Sequence, residues 1–145
     1  MKRCLLLSIT LILTLFPAWS QKVKWNKAYQ DYFERYRSLA VEQMKQYGIP
    51  ASITLAQGVL ESAAGKSQLA RKSNNHFGIK CHGWTGRKVY YDDDAPDECF
   101  RAYKSVNDSY VDHSVFLKNG RRYSRLFELK MTDYKGWAKG LKACG

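Results

Sequence analysis

A long amphipathic repeat near the start of the chain constrains the fold more than any other feature. Between Lys27 and Tyr47 apolar side chains recur at helical spacing, which predicts one long helix with a continuous apolar face. Gly48 and Pro50 follow directly and predict its end. Other elements must cover the apolar face of such a helix. The apolar positions are Tyr29, Tyr32, Phe33, Tyr36, Leu39, Ala40, Met44 and Tyr47.

The length and apolar content of the chain favour one folded domain. The chain has 145 residues, of which 45% are hydrophobic and three are proline. A chain of this length suits a single domain. Its apolar surface is large enough to offset the entropy lost on folding, which argues against a disordered protein.

The first twenty residues are predicted to be a targeting segment. A basic start is followed by an apolar run from Cys4 to Phe16 and by small residues before Gln21. This order predicts a signal peptide over residues 1–20, cleaved before Gln21. The run is shorter than the roughly 20 residues of a membrane-spanning helix. We therefore expect a secreted or periplasmic protein with no membrane segment after cleavage.

The chain is strongly basic. It carries 24 basic and 13 acidic residues, a net charge of +11, and only two basic residues belong to the leader. Such a surface favours polyanions such as nucleic acid, anionic lipid or a cell wall bearing carboxylates. Export argues against nucleic acid as the partner. The cluster formed by Lys118, Arg121, Arg122 and Arg125 is interpreted as a solvated helix end.

The cysteines predict one disulfide. Cys4 leaves with the signal peptide, so Cys81, Cys99 and Cys144 remain in an oxidising compartment. Cys81 and Cys99 flank one short segment of turn and strand character, and we expect them to pair. Cys144 is then left over.

A second helix carries the first candidate site. It is predicted to begin near Ser52 and to end at Ala63-Ala64-Gly65. One stripe is expected to face the core, and a polar stripe lies on a different face. The expected core stripe is Ala56, Val59, Leu60 and Ala63. The polar stripe is Thr54, Gln57 and Glu61.

The middle of the chain predicts a β-hairpin. Lys88–Tyr91 and Cys99–Tyr103 have strand composition, and the residues between them have turn composition. A short helical turn is expected over residues 67–70, and two further helices within 107–117 and over 133–143. The fold class is therefore mainly α with a small β-hairpin wing.

Three motifs occur in the order found in one enzyme family. They are Ala56-Gln57-Gly58-Val59-Leu60-Glu61-Ser62, then Asn75-His76-Phe77-Gly78-Ile79-Lys80, then Phe100-Arg101-Ala102-Tyr103. Together they resemble the bacterial glucosaminidase family of peptidoglycan hydrolases, which includes flagellar rod-type relatives. The resemblance implies a lysozyme-like fold and cleavage of β-1,4 bonds after N-acetylglucosamine in peptidoglycan. The resemblance implies a catalytic domain over residues 21–145. In that family the stretch matching Trp137 to Gly145 runs further, so two alternatives are open: a domain truncated at its C-terminus, or a variant that completes its cleft differently.

Glu61 is the predicted general acid. Glycosidic bond cleavage needs a carboxylic acid whose pKa is raised by an apolar setting. Glu61 lies near a helix end between Leu60 and a stretch of small residues, and it matches the acid position of the resembled family.

A second carboxylate is expected on the hairpin, where the family places it. Asp92 is the first choice because it closes the Tyr90-Tyr91 strand, with Asp93 or Glu98 next. The N-acetyl group of the substrate is an alternative nucleophile. The same acidic run has a competing interpretation as a calcium loop, but it lacks the glycine and terminal glutamate spacing of an EF-hand. We therefore expect no metal and no cofactor.

Aromatic side chains and one amide are predicted to bind the sugar. Flat rings pack against the apolar face of a pyranose, and Tyr90, Tyr91 and Tyr123 lie in hairpin or loop contexts near the predicted acids. For Phe77 a place in the core and a place in the cleft are both open. With the amide, the predicted set is Gln57, Phe77, Tyr90, Tyr91 and Tyr123.

The histidines are expected to be structural, because none lies at metal-ligand spacing. Asp112 and His113 match the helix that follows the hairpin in the resembled family, and this match implies a buried hydrogen-bonded pair. The sequence predicts a monomeric peptidoglycan hydrolase. The alternatives are a non-catalytic wall-binding module on the same fold, and a basic protein that acts on membranes.

Overall fold

The computed structural model describes residues 26–144. The predicted signal peptide over residues 1–20 and its cleavage site lie outside the described residues. The described chain forms five α-helices, one 3-10 helix and two strands. In chain order these are α1 (Lys27–Tyr47), α2 (Ala51–Glu61), α3 (Gln68–Ser73), β1 (Lys88–Tyr91), β2 (Glu98–Arg101), α4 (Val106–Asn119), the 3-10 helix (Arg121–Glu128) and α5 (Tyr134–Cys144).

The long first helix is confirmed, and its ends have clear causes. The side chain of Asn26 accepts hydrogen bonds from the amides of Ala28 and Tyr29 and so caps the first turn. Gly48 adopts a φ of 76°, a left-handed conformation that glycine tolerates, and its amide donates to the Met44 carbonyl. The helix therefore begins and ends where the sequence pattern predicts.

Helix α2 presents a different stripe to the core than the sequence predicted. Thr54 is fully buried, whereas Leu60 is 64% exposed. Of the expected core stripe only Val59 is buried; Ala56 and Ala63 are exposed. The helix is rotated because Gly58 lies against α1 and α4: a methyl group at Gly58 would come within 2.5 Å of the Tyr32 hydroxyl oxygen.

The hairpin forms as predicted, with β1 antiparallel to β2. Tyr90 pairs with Cys99 and Lys88 pairs with Arg101. Cys81 and Cys99 form a disulfide, and the Cys81 amide also donates to the Cys99 carbonyl at 2.9 Å. The strand therefore holds the segment that leads from α3 into the hairpin.

Two apolar clusters fill the interior. One contains Ala40, Phe77, Ile79 and Tyr110, and joins α1 and α4 to the segment before the hairpin. The other joins α2, α4, the 3-10 helix and α5. Its buried members are Ile49, Ile53, Leu117, Tyr123, Leu126 and Trp137.

The 3-10 helix was not predicted. The basic residues Arg121, Arg122 and Arg125 are exposed, as a solvated helix end would be, but Tyr123 and Leu126 between them are buried. A spacing of three residues brings both side chains to one face of a 3-10 helix. Among residues 26–144, no helix combines the length and apolar character needed to cross a bilayer.

Candidate active site

A cleft with a volume of about 420 Å³ lies between the helices and the hairpin base. Its lining comes from α2, the segment before the hairpin, α4, the 3-10 helix and α5. This cleft contains Glu61 and Gln57, the two residues of the predicted polar stripe that remain accessible. The lining residues are Gln57, Glu61, Phe77, Gly78, Ile79, Lys80, His82, His113, Phe116, Leu117, Arg122, Tyr123 and Leu141.

Glu61 is the last residue of α2 and its side chain is exposed in the cleft. The protein packs close against one side of the carboxyl group, and this partial desolvation raises its pKa. The negative charge of Asp93 raises the pKa further. Glu61 therefore keeps its proton to a higher pH than an ordinary glutamate.

The loop after Glu61 fixes the end of α2. The Ser62 hydroxyl donates to the Gly58 carbonyl and accepts a hydrogen bond from the Gly65 amide at 2.7 Å. Ala63 and Ala64 both adopt positive φ angles, of 50° and 56°, which are costly for residues with a Cβ atom. The helix therefore stops directly after Glu61 and leaves its side chain at the edge of the cleft.

Gly78 lies opposite Glu61. It has a φ of +60°, and a Cβ atom at this position would lie 4.0 Å from Glu61 Oε2. The absence of a side chain keeps the space beside the carboxyl group open.

Asn75 holds the cleft segment that contains Phe77 and Gly78. Its side-chain nitrogen donates to the carbonyls of Ile79 and Arg101, each at 2.9 Å. Its side-chain oxygen accepts from the amides of Phe77 and Ile79. One buried side chain therefore binds this segment to the end of β2.

The cleft contains buried polar atoms without partners in the described chain. Gln57 Oε1 and both ring nitrogens of His113 have none. The His113 ring stacks on Phe77 with 3.9 Å between ring centroids, and burial lowers its pKa to about 3. These atoms are buried next to the cleft, and no hydrogen bond within the described residues satisfies them.

The predicted pairing of Asp112 with His113 is wrong. Arg101 Nη1 binds the Asp112 carboxylate at 2.9 Å, and the Tyr103 hydroxyl donates to it at 2.6 Å. The carboxylate next to His113 in sequence is therefore used to attach the hairpin to α4. His113 itself is buried, as expected.

The aromatic candidates fall into two groups. Phe77 and Tyr123 line the cleft, although both are largely buried. Tyr90 is 66% exposed and Tyr91 is partly buried, and neither lines the cleft. The structure thus brings two of the four predicted aromatic residues together with Glu61.

The carboxylates of the hairpin turn have different environments. Asp92 Oδ1 accepts a hydrogen bond from the Asp97 amide at 2.9 Å, within the turn. Glu98 binds Lys80 Nζ at 2.6 Å, and this contact holds the pKa of the Glu98 carboxyl below its usual range. Asp93 is the turn residue whose charge acts on Glu61.

Asp93, Asp94 and Glu98 also place three carboxylate oxygens within 4.8 Å of one another. The ammonium group of Lys80 already binds Asp94 at 3.4 Å and Glu98 at 2.6 Å. A positive side chain thus neutralises part of the cluster considered above as a calcium loop.

Several cleft residues were not singled out from the sequence. Lys80 ends the motif Asn75–Lys80, on which the family resemblance partly rests. The sequence therefore contained a signal for Lys80. Arg122 was expected only in a solvated helix end, yet it lines the cleft and lies over the Tyr123 ring at 4.8 Å. No signal in the sequence identified Phe116 or Leu141.

Comparison with known proteins identifies the family. Residues 37–145 match the Glucosaminidase model, described as mannosyl-glycoprotein endo-beta-N-acetylglucosaminidase. The chain is 32% identical over 114 residues to the exo-glucosaminidase LytG of Bacillus subtilis, covering 70% of this chain and 39% of LytG. It is 30% identical over 128 residues to the peptidoglycan hydrolase FlgJ of Vibrio parahaemolyticus, covering 80% of this chain and 41% of FlgJ. The chain thus spans about two fifths of the length of these relatives.

Solved structures give the same fold. The glycoside hydrolase domain of Salmonella typhimurium FlgJ aligns with a TM-score of 0.67 and 27% identity, covering 81% of this chain and 76% of that one. A peptidoglycan hydrolase from Sphingomonas sp. A1 aligns with a TM-score of 0.70 and 31% identity, covering 80% and 77%. The predicted lysozyme-like fold, mainly helical with a β-hairpin, is confirmed. The chain belongs to the glucosaminidase family.

Proposed function

We propose that this protein is a secreted cell-wall glycoside hydrolase that cleaves the β-1,4 bond after N-acetylglucosamine within peptidoglycan glycan strands. Glu61 acts as the general acid. The raised pKa of Glu61 in an open cleft is the observation that carries this proposal. A carboxyl group with a raised pKa keeps its proton to a higher pH and can transfer it to the oxygen of the departing sugar.

Asp93 is the proposed second carboxylate. Its charge acts on Glu61, which supports a position facing the same reacting bond. Such a group activates water in an inverting enzyme or attacks the sugar in a retaining one. Asp92, the first choice from sequence, has one oxygen engaged by Asp97. Asp92 and the N-acetyl group of the substrate are the competing candidates.

Gln57, Phe77 and Tyr123 are proposed to bind the sugar next to the cleaved bond. Gln57 Oε1 lacks a partner within the described residues and can accept a hydrogen bond from a hydroxyl or acetamido N–H group. Phe77 and Tyr123 contribute apolar rings to the lining of the same cleft. Tyr90 and Tyr91 are proposed to contact sugars further along the strand.

The relatives support the substrate class. Two of them are named peptidoglycan hydrolase FlgJ and one exo-glucosaminidase LytG.

We propose that the protein cleaves bonds within the strand, acts as a monomer and needs no metal or cofactor. We also propose that the N-terminal segment directs its export. Without the two basic residues of the leader, the net charge falls from +11 to +9. This positive charge supports attraction to a wall that carries peptide carboxylates.

Mass spectrometry of fragments released from purified peptidoglycan tests the proposal. Fragments are reduced with borohydride so that each new reducing end is labelled. The wild type is compared with Glu61→Gln, and with Glu42→Gln as a matched control, because Glu42 is exposed on α1. N-terminal sequencing of the exported protein tests cleavage before Gln21.

We expect reduced N-acetylglucosamine ends on oligosaccharides from the wild type and from Glu42→Gln, and none from Glu61→Gln. Reduced N-acetylmuramic acid ends would identify a muramidase instead. Release of single sugars would indicate cleavage from strand ends. A folded wild type that sediments with the wall but releases nothing would support the wall-binding module.

A further inference from the structure

The loop after Glu61 borders a second cavity, which we call the basic pocket. Its volume is about 360 Å³, and no residue lines both this pocket and the cleft. Ala64, Gly65 and Lys66 of the loop form one wall. Helices α1 and α3 form the others. The pocket is therefore separate from the candidate active site but shares the segment that ends α2.

Three cations from three elements line the basic pocket. Arg35 lies on α1, Lys66 on the loop and Arg71 on α3. All three are exposed, and within residues 26–144 none of them forms an ion pair. Asp31 also lines the pocket, but both of its oxygens bind Lys27 Nζ, at 2.8 and 3.0 Å. The pocket therefore presents positive charge that the described chain does not neutralise.

The wall of the basic pocket that α1 forms carries two aromatic rings. Tyr32 and Tyr36 line it, with 4.6 Å between their ring centroids. The Tyr32 hydroxyl lies 2.9 Å from His76 Nδ1 and accepts a hydrogen bond from Tyr110 at 3.0 Å. Tyr32 is only 2% exposed, so the accessible apolar surface of this wall comes from the partly buried Tyr36 ring that packs against it. The pocket thus suits an anionic group carried on an aliphatic stem.

The basic pocket lies close to the proposed general acid. Ala64 follows Glu61 by three residues, so their Cα atoms are at most about 11 Å apart, at roughly 3.8 Å per residue. A flexible group attached to a sugar beside Glu61 can span such a distance. In peptidoglycan the groups attached to the glycan strand are peptides that end in carboxylates.

We infer that the basic pocket binds a carboxylate of the stem peptide carried by the glycan strand in the cleft. This inference rests on the proposed function. Arg35 and Arg71 supply guanidinium groups, whose planar donors match the two oxygens of a carboxylate. Lys66 adds a third charge. The pocket thereby selects peptide-bearing strands over bare glycan.

A binding experiment tests the pocket without any turnover. The side-chain Nε–H resonances of Arg35 and Arg71 in the full chain are followed by NMR during titration with a synthetic stem peptide. The same peptide with its carboxylates amidated, and inorganic phosphate, serve as comparison ligands. We expect saturable shifts with the acid form and binding at least about fivefold weaker with the amide. Equal binding of both peptides, no shift, or tighter binding of phosphate would overturn the inference.

A kinetic experiment tests the consequence for cleavage. Rates are measured on peptide-bearing glycan and on strands stripped of peptide by an amidase. The variant Arg35→Gln/Arg71→Gln is compared with Lys139→Gln/Lys142→Gln, which removes the same charge from exposed positions on α5. Arg35→Lys/Arg71→Lys keeps the charge, and circular dichroism checks the fold of each variant.

We expect the arginine-to-glutamine variant to lose about fivefold or more of the rate on peptide-bearing strands and none on stripped strands. The lysine replacement should recover part of that loss. An equal loss on both substrates, or the same loss in the α5 control, would overturn the inference. If the wild type cleaves neither substrate, the proposed function fails, while the binding experiment still decides whether the pocket holds the peptide.

Discussion

Asp93 in the hairpin turn and Glu61 at the end of α2 are coupled electrostatically, because the negative charge of Asp93 raises the pKa of Glu61. Removing that charge favours ionised Glu61 and lowers its pKa. We therefore predict that Asp93→Asn lowers the pKa of Glu61. The measurement is an NMR titration of the Glu61 side-chain carboxyl carbon, which needs no turnover by a variant that has lost a proposed catalytic carboxylate.

Asp97→Asn is the matched control for this experiment. It removes the same charge from the same turn, but Asp97 is not among the groups that act on Glu61. Its positive φ of 54° also suits asparagine. An equal fall of the Glu61 pKa in both variants would contradict a specific coupling between Asp93 and Glu61.

The close approach of α2 to α1 depends on Gly58. A Cβ atom at Gly58 would lie 2.5 Å from the Tyr32 hydroxyl oxygen and 3.2 Å from that of Tyr110. We predict that Gly58→Ala lowers the free energy of unfolding by about 1–3 kcal/mol, because overpacking forces the neighbours to shift. Denaturant titration measures the change.

Tyr32→Phe removes the nearest atom in that contact. The double variant Gly58→Ala/Tyr32→Phe should therefore be more stable than the sum of the two single effects predicts. If the losses in free energy of unfolding simply add, the Tyr32 hydroxyl is not the group that clashes with the added methyl group.

Burial of His113 makes stability sensitive to acid. Its pKa is about 3 in the folded protein and about 6.5 in an unfolded chain. Between these values the unfolded state binds a proton that the folded state does not, so stability falls as pH falls through this window. In this window His113 changes the free energy of unfolding by up to about 1.4 kcal/mol per pH unit.

We predict that His113→Phe makes the dependence of unfolding free energy on pH shallower between pH 5 and pH 6. Measurements at pH 8, where the histidine is neutral in both states, give the effect of the substitution on packing alone. If the slope of unfolding free energy against pH is unchanged in His113→Phe, the acid sensitivity does not come from His113.

The disulfide between Cys81 and Cys99 closes a loop with a sequence separation of 18. Loss of a cross-link of this size costs about 3 kcal/mol in the chain-entropy treatment. We predict that Cys81→Ser/Cys99→Ser lowers the free energy of unfolding by about that amount, while Cys144→Ser retains the cross-link. Urea denaturation measures stability. Thiol counting on the denatured, unreduced protein should find the Cys144 thiol but not those of Cys81 and Cys99.

Local patterns in the sequence predicted most of the fold. The repeat in α1, the strand composition of Lys88–Tyr91 and the cysteine pair each depend on residues that are near one another in the chain. The orientation of α2 could not be predicted in this way. Thr54 is buried and Leu60 is exposed because Gly58 fits against tyrosines from two other helices.

The residues of the candidate site were predicted only in part, because their positions also depend on contacts between residues that are distant in the chain. Glu61, Gln57, Phe77 and Tyr123 meet in one cleft. The pairing of Asp112 with His113 was wrong because Arg101 and Tyr103 reach Asp112 from the end of the hairpin. Adjacent residues on a helix point in different directions, so tertiary partners decided between them.

The contacts of Asn75 have a mechanical consequence. Because this one amide group binds both Ile79 and Arg101, the floor of the cleft and the base of the hairpin form one rigid piece. A displacement of the hairpin base would therefore also break hydrogen bonds in the segment that lines the cleft. The ion pairs of Lys80 with Asp94 and Glu98 attach the turn of the hairpin to the same segment, so both ends of the hairpin are tied to one wall of the cleft.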